Sequence, residues 1–308
     1  MLKRTLLFVI ILAILATLAS ACAPGAAPAA GPIVVMDGDG KEFRLEKAAQ
    51  RVISLAPSNT EILFAVGAGK QVVGREDFSN YPEEAKSLPS VGGSMGKYSL
   101  EEIAKLQPDL ILASPLTAAE VVQSLKTITP SVFLLPNPKD MEGLFTNLTT
   151  VGTLTGHKAE ADKLVSELRA RVEAVQKKIA PLSNAPKVFY ELDATEPAKP
   201  YTAGPGSFVD MLIGMAGGYN IGKSLQGEWA QISQEALIVE NPDVIVLGDS
   251  PYGVTPEAVT ARPGWEQIGA VKNGRVLSFN DDLVSRPGPR MVQGLEELAK
   301  ILHPEVFQ

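Results

Sequence analysis

The chain is poor in the residues that build metal and redox chemistry, with one cysteine, Cys22, and two histidines, His157 and His303. A single cysteine excludes an internal disulfide. Neither histidine has a second His or a Cys at ligand spacing, so each reads as a surface or capping residue rather than a metal ligand. No Ser-centred nucleophile elbow, HExxH or P-loop occurs. Ala203-Gly204-Pro205-Gly206 is a weak phosphate cradle, because Pro205 lacks an N–H and no dinucleotide pattern follows. Nothing assembles a nucleophile, a base and an orienter, so no enzymatic activity, resident cofactor or metal is expected. Cations are also short, with 28 Lys and Arg against 35 Asp and Glu. That balance argues against nucleic acid or anionic lipid as the main partner.

The N-terminus carries a targeting pattern. Lys3 and Arg4 precede an apolar stretch from Leu6 to Leu18, and Ala19-Ser20-Ala21 leads into Cys22. Residues 1–21 therefore read as a signal peptide and Cys22 as the lipidated first residue of a bacterial lipoprotein, although Ala19 stands where a lipobox usually has Leu. Residues 22–32, rich in Ala, Gly and Pro and free of charge, read as a flexible tether. No later run is long and apolar enough to span a bilayer. The expectation is an extracytoplasmic protein held to the cell membrane only by its N-terminal lipid.

Two distant segments repeat each other. Ser99-Leu100-Glu101 runs on to Pro108-Asp109-Leu110-Ile111, and Ser233-Gln234-Glu235 runs on to Pro242-Asp243-Val244-Ile245 at the same spacing. Each reads as a Ser-capped helix stopped by Pro and followed by a buried strand. The recurrence fits either two similar lobes or the common helix–strand vocabulary of α/β folds. Apolar strands are expected at 51–55, 71–74, 109–113, 131–135, 187–192, 243–247 and 275–279, with a hairpin at 33–45. Ser58 and Glu61 stand at capping-box spacing. Strand–helix alternation argues for mainly parallel sheets. From Lys158 to Ala180, Ala161, Leu164, Leu168, Val172, Val175 and Ile179 form one apolar stripe, with Glu167–Arg171 and Glu173–Lys177 as exposed pairs. This long helix is either a spine between two halves or a helix packed on one of them. The expected organisation is an N-terminal α/β lobe at 33–156, a bridging helix at 157–181 and a C-terminal α/β lobe at 182–308.

Ligands of open α/β sheets bind beyond the carboxyl ends of the strands. The loops there include Pro57-Ser58, Asp77 to Tyr81 and Gly92 to Met95 in the first half. In the second half they include Leu192-Asp193, Tyr201, Trp229 and Asp281 to Arg286. A few aromatics with one acid–base pair suit a large, partly apolar ligand. Trp229 is equally readable as a core anchor, and Asp282 and Arg286 as a pair with only each other.

The stretch from Arg51 to Ala65, with Asn59-Thr60-Glu61 at its centre, resembles the opening motif of periplasmic substrate-binding proteins for cobalamin, ferric siderophores and haem. The similarity continues through Asn80-Tyr81-Pro82, Ser99 to Leu110, Trp229 to Glu235 and Asp282 to Arg290. The resemblance implies a class III binding-protein fold: two α/β lobes bridged by one rigid helix, with the ligand clamped between them. It implies that Glu101 and Glu235 dock onto the permease dimer of an ABC importer, which works with ATPase subunits while the binding protein is a monomer. For the ligand site it carries over Phe78, Trp229, Asp282 and Arg286; together with the strand-end residues Pro57, Ser58, Ser94, Met95, Leu192 and Tyr201 these make up the expected site. Ser94, Met95 and Leu192 stand where flat aromatics are expected for cobalamin. Cobalamin or a related corrinoid is the first choice of cargo, with a ferric siderophore or haem as the alternative. Tyr81, Tyr98 and Tyr201 are candidate haem ligands, and Arg75 and Lys97 further cations for an anionic siderophore. The competing classes are a chelatase-like enzyme, which needs a group such as His157 or Glu191 in the cleft, and a structural surface lipoprotein.

Overall fold

Two β-sheets, one all parallel and one mainly parallel, lie on either side of one long helix in this computed structural model, which describes residues 31–307. The expected signal peptide, Cys22 and most of the expected tether lie outside the described residues. Among those described, no helix is long and apolar enough to cross a membrane.

The first half opens with the expected antiparallel hairpin, β1 (Ile33–Met36) and β2 (Glu42–Leu45). The Asp37 carboxylate closes its turn by accepting from the Asp39 and Lys41 amides. Then follow β3 (Val52–Ser54), α1 (Pro57–Ala65), β4 (Val72–Arg75), α2 (Leu100–Lys105), β5 (Leu110–Ala113), α3 (Ala119–Lys126), β6 (Val132–Leu134) and α4 (Met141–Thr155). The strands pair in the order β4-β3-β5-β6, all parallel. Every residue of β3, β5 and β6 is buried, as a parallel sheet covered on both faces requires. The Ser58–Glu61 capping box is not formed. Pro57, whose fixed φ suits the first helical position, starts α1 one residue early and leaves Ala56 at the cap. Glu61 is thereby free for the role described below.

The spine is α5 (Lys158–Ile179), 22 residues or about 33 Å at 1.5 Å per residue. Ala161, Leu168, Val172 and Val175 are buried, and Leu164 and Ile179 pack at the margin. α5 contacts α4 on one side and α11 (Met291–Leu302) on the other. Its arginines follow suit: Arg169 forks onto Glu142 of α4, and Arg171 onto Glu296 of α11 at 2.7 and 2.8 Å. The expected Glu167–Arg171 pair is absent, because Arg171 reaches the other helix and Glu167 meets Lys163 at 3.8 Å, and Glu173 and Lys177 do not pair either. One apolar cluster runs unbroken from Val52 in the first sheet through the spine to Val188 in the second, so the lobes share a core rather than a loose hinge.

The second half contains β7 (Lys187–Asp193), β8 (Tyr201–Ala203), α6 (Phe208–Met215), β9 (Tyr219–Asn220), β10 (Trp229–Gln231), α7 (Gln234–Glu240), β11 (Val244–Leu247), α8 (Pro256–Thr260), α9 (Gly269–Lys272), β12 (Val276–Ser278) and α10 (Asp282–Ser285), before α11 closes the fold. β7, β11 and β12 are parallel, while β8 and β10 extend the sheet as an antiparallel ribbon. His157 is the residue before α5 without a side-chain cap bond. His303 ends α11 fully buried, its Nε2 3.3 Å from the Gly217 carbonyl, so it is a capping residue but not a surface one.

The sequence repeat has a mechanical meaning. Ser99 and Ser233 each cap their helix through the amide three residues on. Gln107 and Asn241, each just before a Pro, take left-handed φ of 47° and 50° that ends the helix. Asp109 then accepts from the Gln50 and Arg51 amides, and Asp243 from the Lys187 amide, tying each strand start to its neighbour. Arg51 and Lys187 complete the motif by donating to carbonyls at the ends of α2 and α7.

Candidate functional site: a cleft between two lobes

The carboxyl ends of β3, β5 and β6 face the second lobe across a cavity of about 520 Å³. Pro57, Ser58 and Leu116 line the first side, and Phe208, Trp229 and Arg286 the second. A neighbouring cavity of about 350 Å³ lies between Asp77, Phe78 and Asn80 of the first lobe and Tyr252, Asp281 and Asp282 of the other. Arg286 lines both, so the two form one cleft divided by that side chain. A larger cavity of about 800 Å³ opens beside the spine, where Leu164 and Leu168 contribute. It lies away from the strand ends, where α/β sheets hold their ligands.

The rim is apolar and open: Phe78 is 59 % exposed, Trp229 50 %, Tyr252 86 % and Leu116 89 %. Trp229 is therefore no core anchor; that place belongs to Trp265, which is fully buried. The antiparallel ribbon holds Trp229 opposite Ala203. Gly204 allows this, since a Cβ there would lie 2.0 Å from the Gly227 carbonyl, and its amide donates to Glu228 O at 2.8 Å. Gly204 thus serves close backbone approach, and Gly206 a left-handed turn at φ 85°.

Several sequence-derived candidates fall elsewhere. Ser94 donates to Asp77, bracing a cleft loop without lining either cavity. The Met95 side chain lies outside the described residues. Leu192 packs against the main core, and Tyr201 is half-exposed outside both cavities. Tyr98 donates to the Leu55 carbonyl at 3.2 Å, and Arg75 is held by the carbonyls of Ala85 and Glu76. Tyr81 lies under Arg290, 4.0 Å from its guanidinium. His157 and Glu191, which a catalytic reading requires in the cleft, do not line it. Tyr252 and Leu116, which are not among the sequence-derived candidates, do line the cleft. Their signal was available, since Pro251-Tyr252-Gly253 and Pro115-Leu116 follow β11 and β5 at their carboxyl ends.

Electrostatically, Asp77 is held below the usual carboxylate range by the Ser90 and Ser94 hydroxyls. Burial pushes Asp281 up, while it accepts from Tyr190 at 2.8 Å. Behind the Tyr252 turn, Glu191 is fully buried and forked by Arg262. Asp249, 5 % exposed, is pushed up to about 7 by burial and then by the Glu191 charge. Its oxygens find no donor among the described residues; protonated, it can instead donate to Glu191. Glu101 and Glu235 stand exposed at the starts of α2 and α7. Those helices lead into β5 and β11, so their starts lie at the same edge of each sheet as the cleft. Lys105 pairs with Glu101 at 2.8 Å. The Glu235 carboxyl is lowered by its own amide and by Ser233.

Two α/β lobes on one helix, with a cleft at their strand ends, define a ligand-capturing protein of the class III binding-protein type. The chain belongs to the periplasmic binding protein family, whose description matches residues 52–283. It is 31 % identical over 280 residues to an uncharacterized ABC transporter substrate-binding lipoprotein of Bacillus subtilis, covering 90 % of this chain and 87 % of that one. It is 29 % identical to a cobalamin-binding protein of Halobacterium salinarum, covering 88 % and 74 %. Among solved structures, a possible iron-binding periplasmic protein of Staphylococcus epidermidis superposes with a TM-score of 0.71 at 31 % identity, covering 83 % of this chain and all of the other. The vitamin B12 binding protein of Vibrio cholerae gives 0.70 at 27 %, covering 84 % and 99 %.

Proposed function

We propose that this chain is the lipid-anchored substrate-binding subunit of an ABC importer, and that it captures cobalamin or a related corrinoid between its lobes. The observation that carries this reading is the cleft itself: exposed Phe78, Tyr252, Leu116 and Trp229 surround a divided cavity at the strand ends. Such a rim suits a broad, partly apolar ligand that stays half outside the protein. Tyr252 offers a flat face that compensates for the aromatics missing at Ser94, Met95 and Leu192. Relatives bearing cobalamin in their names support the same cargo.

Glu101 and Glu235 are the proposed docking points. One exposed carboxylate at the cleft-side edge of each lobe can orient a two-lobed protein on a two-fold permease and steer its approach. Cys22 is the proposed lipid attachment. The test is calorimetric titration of the full chain in mild detergent with cobalamin, haemin and a ferric siderophore in parallel. One-to-one cobalamin binding supports the proposal; binding of an iron ligand alone replaces the cargo and leaves the importer role standing.

A further inference from the structure

Glu61 is an acid of the first lobe whose side chain is 1 % exposed, and all its charged partners come from the second lobe. Arg290 forks onto it at 2.6 and 2.8 Å, and Arg286 approaches at 3.4 Å. Arg286 also donates to Asn80 at 2.7 Å and pairs with Asp282 at 2.8 Å; Arg290 lies 3.8 Å from Asp282 and over the Tyr81 ring. The two arginines and two carboxylates thus sum to zero charge. Buried charges of this kind are held by their partners, because leaving one unpaired is costly. Arg286 is the cleft's dividing side chain, yet it has no uncompensated charge to offer. The other charged groups lining the cleft are Lys139 against Asp77, Asp281 and Glu228.

We infer that Glu61 is a positioning residue that holds Arg286 neutralised and so makes the cleft favour neutral or cationic ligands over anionic ones. Anion binding in the cleft would need Arg286, the arginine that lines it, free to fork onto carboxylate or catecholate oxygens, whereas Arg290 lines the cavity beside the spine. Here Glu61 occupies that role from within the protein. The inference rests on the cleft being the ligand site proposed above, and it narrows the ligand by charge.

The experiment measures binding of cobalamin and of a ferric tricatecholate, a soluble trianion, to the full chain and to Glu61→Gln. Removing one negative charge beside the cleft is expected to raise affinity for the trianion about tenfold, with cobalamin affinity changed less than about threefold. The double variant Glu61→Gln/Arg290→Gln restores a neutral cluster and should return trianion binding to the wild-type level. Should Glu61→Gln fail to fold, Asp282→Asn makes the same change of charge from a partly exposed position, and only its trianion affinity is then read, because Asp282 lines the cleft. A trianion affinity that does not rise, or that rises equally in the double variant, overturns the inference. Tight trianion binding by the unaltered protein does so too. Cobalamin binding by the unaltered protein is read separately and bears on the proposed cargo, not on Glu61.

Discussion

Asp249 gives the sharpest test of the physical reading. Its carboxyl is buried beside Glu191, and its pKa rises from 3.8 to about 7 on folding. The sign follows from linkage: between those values the folded chain holds a proton that the unfolded chain has lost. The contribution is fully present below about pH 4 and is lost as pH rises through about 7. Each unit corresponds to about 1.4 kcal/mol, so from pH 5 to pH 7 the wild type should lose about 2–3 kcal/mol through this group. Asp249→Asn keeps the shape, cannot ionise, and retains an N–H that can donate to Glu191. Urea unfolding of both proteins, followed by circular dichroism from pH 5 to 8, isolates the Asp249–Glu191 carboxyl pair, because titrations elsewhere in the chain are common to both proteins. The variant's stability should gain steadily on the wild type as pH rises, then level off. Parallel stability curves would refute the assignment of a neutral Asp249 in the fold.

Other expectations follow from the same geometry. Gly204→Ala would drive a methyl into the Gly227 carbonyl and displace the ribbon carrying Trp229; thermal melts should show a loss of about 1–3 kcal/mol, with weaker ligand binding. Asp243→Ala removes the acceptor of the Lys187 amide and should cost about 1–2 kcal/mol in chemical denaturation, whereas Lys163→Ala on the exposed spine face should cost under about 0.5 kcal/mol. Reversing both Glu101 and Glu235 to Lys should abolish importer-dependent uptake in cells while leaving calorimetric binding intact; retained uptake excludes them as the docking points.

Local patterns in the sequence carried most of the architecture. Apolar runs bounded by Gly and Pro located β3, β5, β6, β7 and β11, and the stripe from Ala161 to Ile179 located the spine. The repeated Ser, Pro and Asp were legible as a unit, although their function as cap, stop and strand brace needed coordinates. What stayed hidden was long-range pairing. Glu61 fits a capping box by spacing, and only the fold brings Arg286 and Arg290, more than two hundred residues away, onto its carboxylate. Arg171 was likewise assigned to its own helix because the sequence cannot show that α11 lies alongside. Glu191 read as a candidate cleft acid, whereas its Arg262 partner arrives from the turn after α8. Tyr252 is a different case: the rule that singled out Phe78 and Trp229 also covers the loop after β11.

A corrinoid held between the lobes would lie against Trp229, whose fluorescence gives a direct reading of capture. The chain has two tryptophans, one half-exposed at the cleft and one fully buried. Fluorescence titration with cobalamin, corrected for absorbance and compared with Trp229→Phe, should give saturable one-to-one quenching that is largely lost in the variant. Absence of saturable quenching, or quenching that the variant retains in full, would contradict capture of a corrinoid at this cleft.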